Sequence, residues 1–80
     1  MSLNQQIREF VTSNYYVADA ASLDDGASLL DQGIIDSTGV LEVIFYLEDT
    51  FGIKVEDKEM LPENLDSIDR IANFVARKKN

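Results

Sequence analysis

The 80-residue chain contains no cysteine and no histidine. Without cysteine it can form no disulfide, and it has no thiolate to bind a metal or attack a substrate. Without histidine it lacks the usual general base, the commonest metal ligand and any Ser-His-Asp triad. The sequence therefore offers no base–nucleophile pair, and we expect neither catalytic residues nor a metal site.

Basic residues are few, since 7 Lys and Arg stand against 15 Asp and Glu, for a net charge of −8. A field of this sign repels phosphate backbones, so we expect no nucleic-acid partner. It attracts proteins that have basic patches, although acidity also serves simply to keep a small protein soluble. The charge alone leaves these two interpretations open.

Long apolar runs are also missing. No stretch approaches the roughly 20 apolar residues of a membrane span. The start, MSLNQQIREF, lacks the basic and apolar regions of a signal peptide. We therefore expect a soluble, cytoplasmic monomer with no membrane partner, folded as one domain over residues 1–80.

Apolar residues recur at helical spacing in three segments, which predicts main helices at about 3–16, 37–51 and 67–77. A short helix of one or two turns fits within 57–65, around the one proline. Residues 17–36 form a long connection. The expected fold is all-α: a small four-helix bundle, with three main helices and one short helix, and a long loop between helices 1 and 2.

Polar residues at the predicted helix ends supply the caps. Ser2 and Gln5 fit a capping box, Asp36 is a suitable N-cap for the second helix, and Asp66 for the last. Gly52 is a suitable stop for the second helix. The predicted core residues are Ile7, Phe10, Val43, Ile44, Leu47, Ile71 and Val75. The loop aliphatics expected to pin the connection onto the helices are Leu23, Leu29, Leu30, Ile34 and Ile35.

The segment from Gly33 to Glu42, GIIDSTGVLE, places Ser37 at the first position of the second predicted helix, directly after Asp36. A side chain at this helix tip is exposed to modifying enzymes. A phosphate attached there would lie beside the positive end of the helix dipole and free N–H groups. An isolated Asp-Ser pair is nevertheless more often only a favourable helix start.

The wider pattern resembles the acyl and peptidyl carrier protein family. The matching stretches are Leu30-Asp-Gln-Gly-Ile-Ile, Asp36-Ser37, the helix from Val40 to Phe51, Gly52-Ile-Lys-Val and Pro62-Glu-Asn-Leu-Asp-Ser-Ile. The resemblance implies that Ser37 receives 4'-phosphopantetheine from coenzyme A through a phosphodiester. The thiol of this arm would then carry an acyl group as a thioester. The implied partners are a phosphopantetheinyl transferase and acyl-activating ligases or synthases with basic docking surfaces.

Two residues depart from the family's commonest pattern. Thr38 follows Asp36-Ser37 where leucine is most usual, and Gly39 stands where fatty-acid carriers often have an acidic residue. The stretch Asp36-Ser-Thr-Gly-Val-Leu-Glu42 looks more like that of free-standing carriers that work beside adenylate-forming acyl ligases. The cargo stays open between acyl groups of fatty-acid, lipid or secondary-metabolite biosynthesis and aminoacyl or peptidyl groups. A non-carrier acidic helical interaction module is the alternative from another class.

The second predicted helix has an exposed side that combines large apolar groups with carboxylates. A solvated face with scattered apolar residues accounts for this pattern equally well. In the carrier family, however, this helix is the usual recognition element, which implies a docking surface with an apolar centre and a charged rim. The docking residues expected on this basis are Thr38, Leu41, Glu42, Phe45, Glu48 and Asp49.

Overall fold

The computed structural model describes residues 2–15, 17, 23–36 and 38–79. Within these residues the α-helices are α1 (Leu3–Asn14), α2 (Gly39–Phe51), α3 (Pro62–Leu65) and α4 (Ile68–Lys79), with a 3₁₀ turn at Asp57–Glu59. No strand occurs in the described part of the chain, so the all-α prediction with three main helices and a short one is confirmed. None of the described helices has the length and apolar character that a membrane crossing requires.

The ends of α1 and α2 follow the predicted chemistry. The Ser2 hydroxyl accepts the Gln5 N–H at 3.2 Å, which satisfies one of the free donors at the start of α1. α1 ends at Asn14, two residues before the predicted boundary. Gly52 ends α2 with a left-handed φ of 68° and donates its N–H to the Glu48 carbonyl, as expected for a glycine stop.

The cap of α4 differs from the prediction. Ser67 supplies it, because its hydroxyl accepts the Arg70 N–H at 3.0 Å. Asp66 lies one residue earlier, and its carboxylate instead accepts the Ser28 hydroxyl at 2.6 Å and the Leu30 N–H at 3.0 Å. The predicted Asp66 cap is therefore wrong, and this carboxylate ties the long loop to the corner between α3 and α4.

The core lies between α1, α2 and α4. Six of the seven predicted core residues are buried. The seventh, Phe10, is half-buried and stacks on Tyr46 with ring centroids 4.0 Å apart. Phe74, which was not among the predicted core residues, is also buried. Truncating any of the buried aliphatics would remove apolar contact that a domain of this size needs.

The long loop packs onto the helices through part of its predicted aliphatic set. Leu23, Leu29 and Ile35 are buried and Ile34 is half-buried. The prediction for Leu30 is wrong, since this side chain is 37% exposed. Hydrogen bonds hold the same loop from two other directions. To α1, the loop is bonded by Arg8, which donates to the Leu23 carbonyl and the Asp25 carboxylate, and by Asn4, which donates to Asp25. To α4, it is bonded by the Asp69 N–H, which donates to the Asp25 carbonyl.

Candidate functional site

Asp36 organises the entry to α2. Its carboxylate accepts the Gly39 N–H at 2.7 Å and its carbonyl accepts the Val40 N–H at 3.1 Å. The helix begins at Gly39 rather than at residue 37, and Thr38 makes no side-chain cap bond of its own. The Asp36 side chain therefore makes the predicted cap bond, although Asp36 lies three residues before the first residue of α2. Ser37 lies outside the described residues, between the exposed Asp36 and the exposed Thr38.

A cleft of about 250 Å³ lies beside this entry. Its lining residues are Tyr15, Gly33, Ile34, Asp36, Thr38, Gly39 and Glu42. The Tyr15 hydroxyl lies 3.1 Å from the Glu42 carboxylate and 3.2 Å from the Gly39 carbonyl, and it donates to these oxygens. Burial, followed by the hydrogen bond and charge of Glu42 and the charge of Asp36, raises the pKa of Tyr15 to about 12. The phenol therefore stays a proton donor throughout the neutral range.

Gly39 allows this close packing because it has no side chain. A Cβ at this position would lie 3.0 Å from the Ile35 side chain and 3.4 Å from both the Tyr15 ring and the Asp36 carboxylate. An acidic residue here, as in many fatty-acid carriers, would push at least one of these neighbours away. The sequence marked Gly39 as a departure from the family pattern, but only the structure shows the tyrosine that occupies the space.

The predicted docking residues lie on or next to one exposed side of α2. Leu41 and Phe45 are 50% and 70% exposed. Thr38, Glu42 and Asp49 are also exposed. Glu48 differs from the others, because it is half-buried and its carboxylate accepts the Val55 N–H at 2.9 Å. Partner contact by these residues stays a prediction.

A second, mainly apolar groove of about 270 Å³ lies between α2 and the segment leading into α3. Its lining residues are Leu30, Val40, Leu41, Met60, Leu61, Pro62, Leu65 and Asp66. Exposed Leu30 and Leu61 stand at this groove together with Leu41 of the predicted docking side. Sequence reasoning did not predict this groove. The Leu61-Pro62 pair was a possible signal, because a residue before proline is restricted to extended backbone, as Leu61 is here.

The negative charge is concentrated in the first two thirds of the chain. Residues 1–53 hold nine acidic residues and one basic residue, whereas residues 54–80 hold six of each. The whole net charge of −8 thus comes from the part that contains α1, the loop and α2. A basic surface would therefore be attracted more strongly to residues 1–53 than to residues 54–80.

The comparison with known families agrees with this site. Residues 5–75 match the model of the family described as the phosphopantetheine attachment site. Because the match covers most of the chain, the protein belongs to the phosphopantetheine-binding carrier family. The cofactor of this family is a covalently attached 4'-phosphopantetheine. Asp36 and Thr38 are exposed and line the cleft, so these residues leave room for such a group beside them.

Curated relatives extend over nearly the same length. The chain is 25% identical over 79 residues to the acyl carrier protein of Solidesulfovibrio magneticus, covering 99% of this chain and 97% of the relative. It is 31% identical over 75 residues to the D-alanyl carrier protein of Streptococcus pyogenes serotype M5, covering 94% and 92%. The D-alanyl carrier protein of Streptococcus uberis is 32% identical over 65 residues, 81% of each chain.

Proposed function

We propose that this protein is an acyl carrier whose Ser37 hydroxyl is joined to 4'-phosphopantetheine, and that it moves acyl thioesters between enzymes without catalysing a reaction itself. The observation that carries the proposal is the Asp36-Ser37 pair at the capped entry to α2, in a chain that matches the attachment-site family over residues 5–75. The bound arm supplies a thiol that forms thioesters, which the cysteine-free chain lacks.

The residues of the chain itself position the attachment point. Asp36 fixes the backbone that follows residue 37, because it accepts the N–H groups of Gly39 and Val40. The positive helix dipole at the start of α2 favours a phosphate nearby. The exposed flanking residues leave room for a transferase to approach. These residues therefore hold and present the arm, and the chemistry of loading belongs to the partner enzymes.

The partners of this proposal are a phosphopantetheinyl transferase and an acyl-activating ligase or synthase with a basic docking surface. Glu42 and Asp49 steer such a surface, and Leu41 and Phe45 provide the apolar contact. A carrier has to release each partner before it meets the next, so the contact is small. Charge then acts mainly on the association rate and depends on salt.

The first cargo candidate is an aliphatic acyl group. The apolar groove between α2 and α3 adjoins Leu41, and it suits a hydrocarbon chain better than a charged amine. The second candidate is an aminoacyl group, because the two streptococcal relatives above are D-alanyl carriers. Thr38 and Gly39, at the entry to α2, also resemble the corresponding residues of carriers that work beside adenylate-forming ligases.

The proposal is tested by intact-mass measurement after incubation with coenzyme A and a phosphopantetheinyl transferase. We expect the mass of one phosphopantetheine to be added. A chain that never gains this mass would be an acidic interaction module instead. Loading with hexanoyl-coenzyme A or alanyl-coenzyme A then compares the two cargo candidates. If the groove shelters the cargo, the hexanoyl form should melt at a higher temperature than the alanyl form. Equal melting temperatures would remove the argument for an aliphatic chain.

A further inference from the structure

Tyr15 joins the end of α1 to the first turn of α2, at the side of the candidate site. Its hydroxyl lies within hydrogen-bond distance of the Glu42 carboxylate and of the Gly39 carbonyl, 3.1 and 3.2 Å away. These partners are 27 and 24 residues distant in sequence, so the contact depends on the fold. A bond from a phenol to a carboxylate is charge-assisted and stronger than a neutral one.

The ring of Tyr15 is held as firmly as its hydroxyl. It packs edge-on against Phe10 with ring centroids 6.1 Å apart, and its other side faces the space left open by Gly39. An aromatic pair in this geometry is favourable beyond the area it buries. The hydroxyl is thereby presented to Glu42 by a half-buried ring and not by a mobile surface side chain.

Glu42 is exposed, and an exposed glutamate normally samples many rotamers. Ordering such a side chain on docking costs about 0.5–1.5 kcal/mol, which corresponds to about a two- to tenfold change in affinity. A glutamate that is already held by a hydrogen bond avoids most of this cost. Its negative charge is then held in one position at the cleft, which Asp36 also lines.

We propose that Tyr15 is a positioning residue for partner docking: it holds the Glu42 carboxylate at the cleft that Asp36 also lines, so that a basic partner meets a fixed pair formed by Asp36 and Glu42. This inference rests on the proposed carrier function. Gly39 makes it possible, because a side chain there would displace Tyr15 or its neighbours. Tyr15 thus acts through Glu42 and requires no contact with the arm.

The test measures kcat and KM for the carrier as substrate of a phosphopantetheinyl transferase. The variants are Tyr15→Phe, Glu42→Ala and the double variant, with the same enzyme and coenzyme A. Tyr46→Phe is the matched control, because it removes one phenol hydroxyl from the same aromatic cluster, and this hydroxyl donates to the Gln6 carbonyl, 3.5 Å away, and not to Glu42. Urea unfolding of the same four proteins reports the hydrogen bond without any partner.

We expect Tyr15→Phe to raise KM about two- to tenfold with kcat unchanged, and Tyr46→Phe to leave both constants unchanged. In the Glu42→Ala background, Tyr15→Phe should add nothing to KM, and the urea midpoints of the two single variants should not be additive. A Tyr15→Phe variant with normal KM would overturn this inference, as would KM changes that add independently. A wild-type protein that accepts no arm would instead overturn the proposed function, and this inference with it.

Discussion

Helices α2 and α4 are similar in length but use their apolar residues differently. In α4, Ile68, Ile71, Ala72, Phe74 and Val75 are all buried, and the last turn is basic. In α2, Val43, Ile44 and Leu47 are buried, whereas Leu41 and Phe45 face solvent. The apolar residues named on α4 thus lie in the core, whereas α2 has a leucine and a phenylalanine outside it.

This difference separates a helix that holds the fold from one that also presents a surface. The apolar residues of α4 are buried, so their contribution to stability is enough to explain them. The basic last turn of α4 suits the negative C-terminal end of a helix. Stability does not account for an exposed leucine and phenylalanine on α2, beside exposed Glu42 and Asp49. The docking role that we propose for that side of α2 would account for them.

The largest expected effect is on the free energy of unfolding, when leucine is replaced by alanine either on the buried side or on the exposed side of α2. Leu47→Ala removes a side chain with 0% exposure, so it should lower the free energy of unfolding by about 2–5 kcal/mol. Leu41→Ala removes the same atoms from a half-exposed position, and should cost about 1 kcal/mol or less. Urea denaturation measures both. Equal losses would mean that the assigned core side of α2 is wrong.

The next effect concerns docking. Replacing both Glu42 and Asp49 with lysine should slow association with a basic transferase about tenfold at low salt and weaken its salt dependence, because steering charge is reversed. Phe45→Ala should mainly speed dissociation, because it removes apolar contact. Stopped-flow binding across a salt series separates the two rates, and circular dichroism checks the fold.

A control for the docking prediction exchanges the same amount of charge elsewhere. Asp57 and Glu63 are exposed and lie outside α2, in the 3₁₀ turn and α3. Replacing both with lysine should change association much less than the α2 pair does. If the two double variants slow association equally, total charge steers the partner and α2 has no special role.

The smallest effect is a pH dependence in the tie between α1 and the loop. The hydrogen bond from Asn4, followed by the bond and charge of Arg8, holds the pKa of Asp25 below its usual value. A carboxyl with a depressed folded-state pKa stabilises the fold above its unfolded pKa, near 4, and loses this contribution as the pH falls through the folded pKa. Asp25→Asn should therefore cost up to about 1 kcal/mol at pH 7 and less as the pH falls below about 4.

Asp31→Asn provides the comparison for this titration, because Asp31 is an exposed aspartate of the same loop. Urea midpoints of the three proteins from neutral to acid pH should converge for Asp25→Asn and wild type. A constant difference at every pH would show that Asp25 acts through packing or hydrogen bonding that does not depend on its charge.

Local patterns predicted most of the fold. Helical spacing located the main helices, and Ser2, Asp36 and Gly52 make the end bonds expected of them. The sequence pattern predicted the wrong residue where two neighbours are both suitable N-caps for the same helix. Asp66 and Ser67 are both good caps, and only the position of the loop shows that Asp66 bonds Ser28 and Leu30 while Ser67 caps α4.

In the candidate site, too, the sequence predicts some features and not others. Asp36-Ser37 and the exposed side of α2 are readable from the sequence, because motif order and helical period fix them. The Tyr15–Glu42 bond and the groove at Leu30 and Leu61 are not, because they join residues far apart in the chain. Such contacts depend on tertiary packing, about which neither composition nor periodicity carries information.

The assignment of Ser37 as the attachment residue can be tested by mass measurement of a single variant. Ser37→Ala and a matched Ser13→Ala, which alters an exposed serine of α1, are incubated with coenzyme A and a phosphopantetheinyl transferase. Ser13→Ala should gain one phosphopantetheine as the wild type does, and Ser37→Ala should gain none while remaining folded by circular dichroism. A folded Ser37→Ala protein that still gains the phosphopantetheine mass would contradict the account.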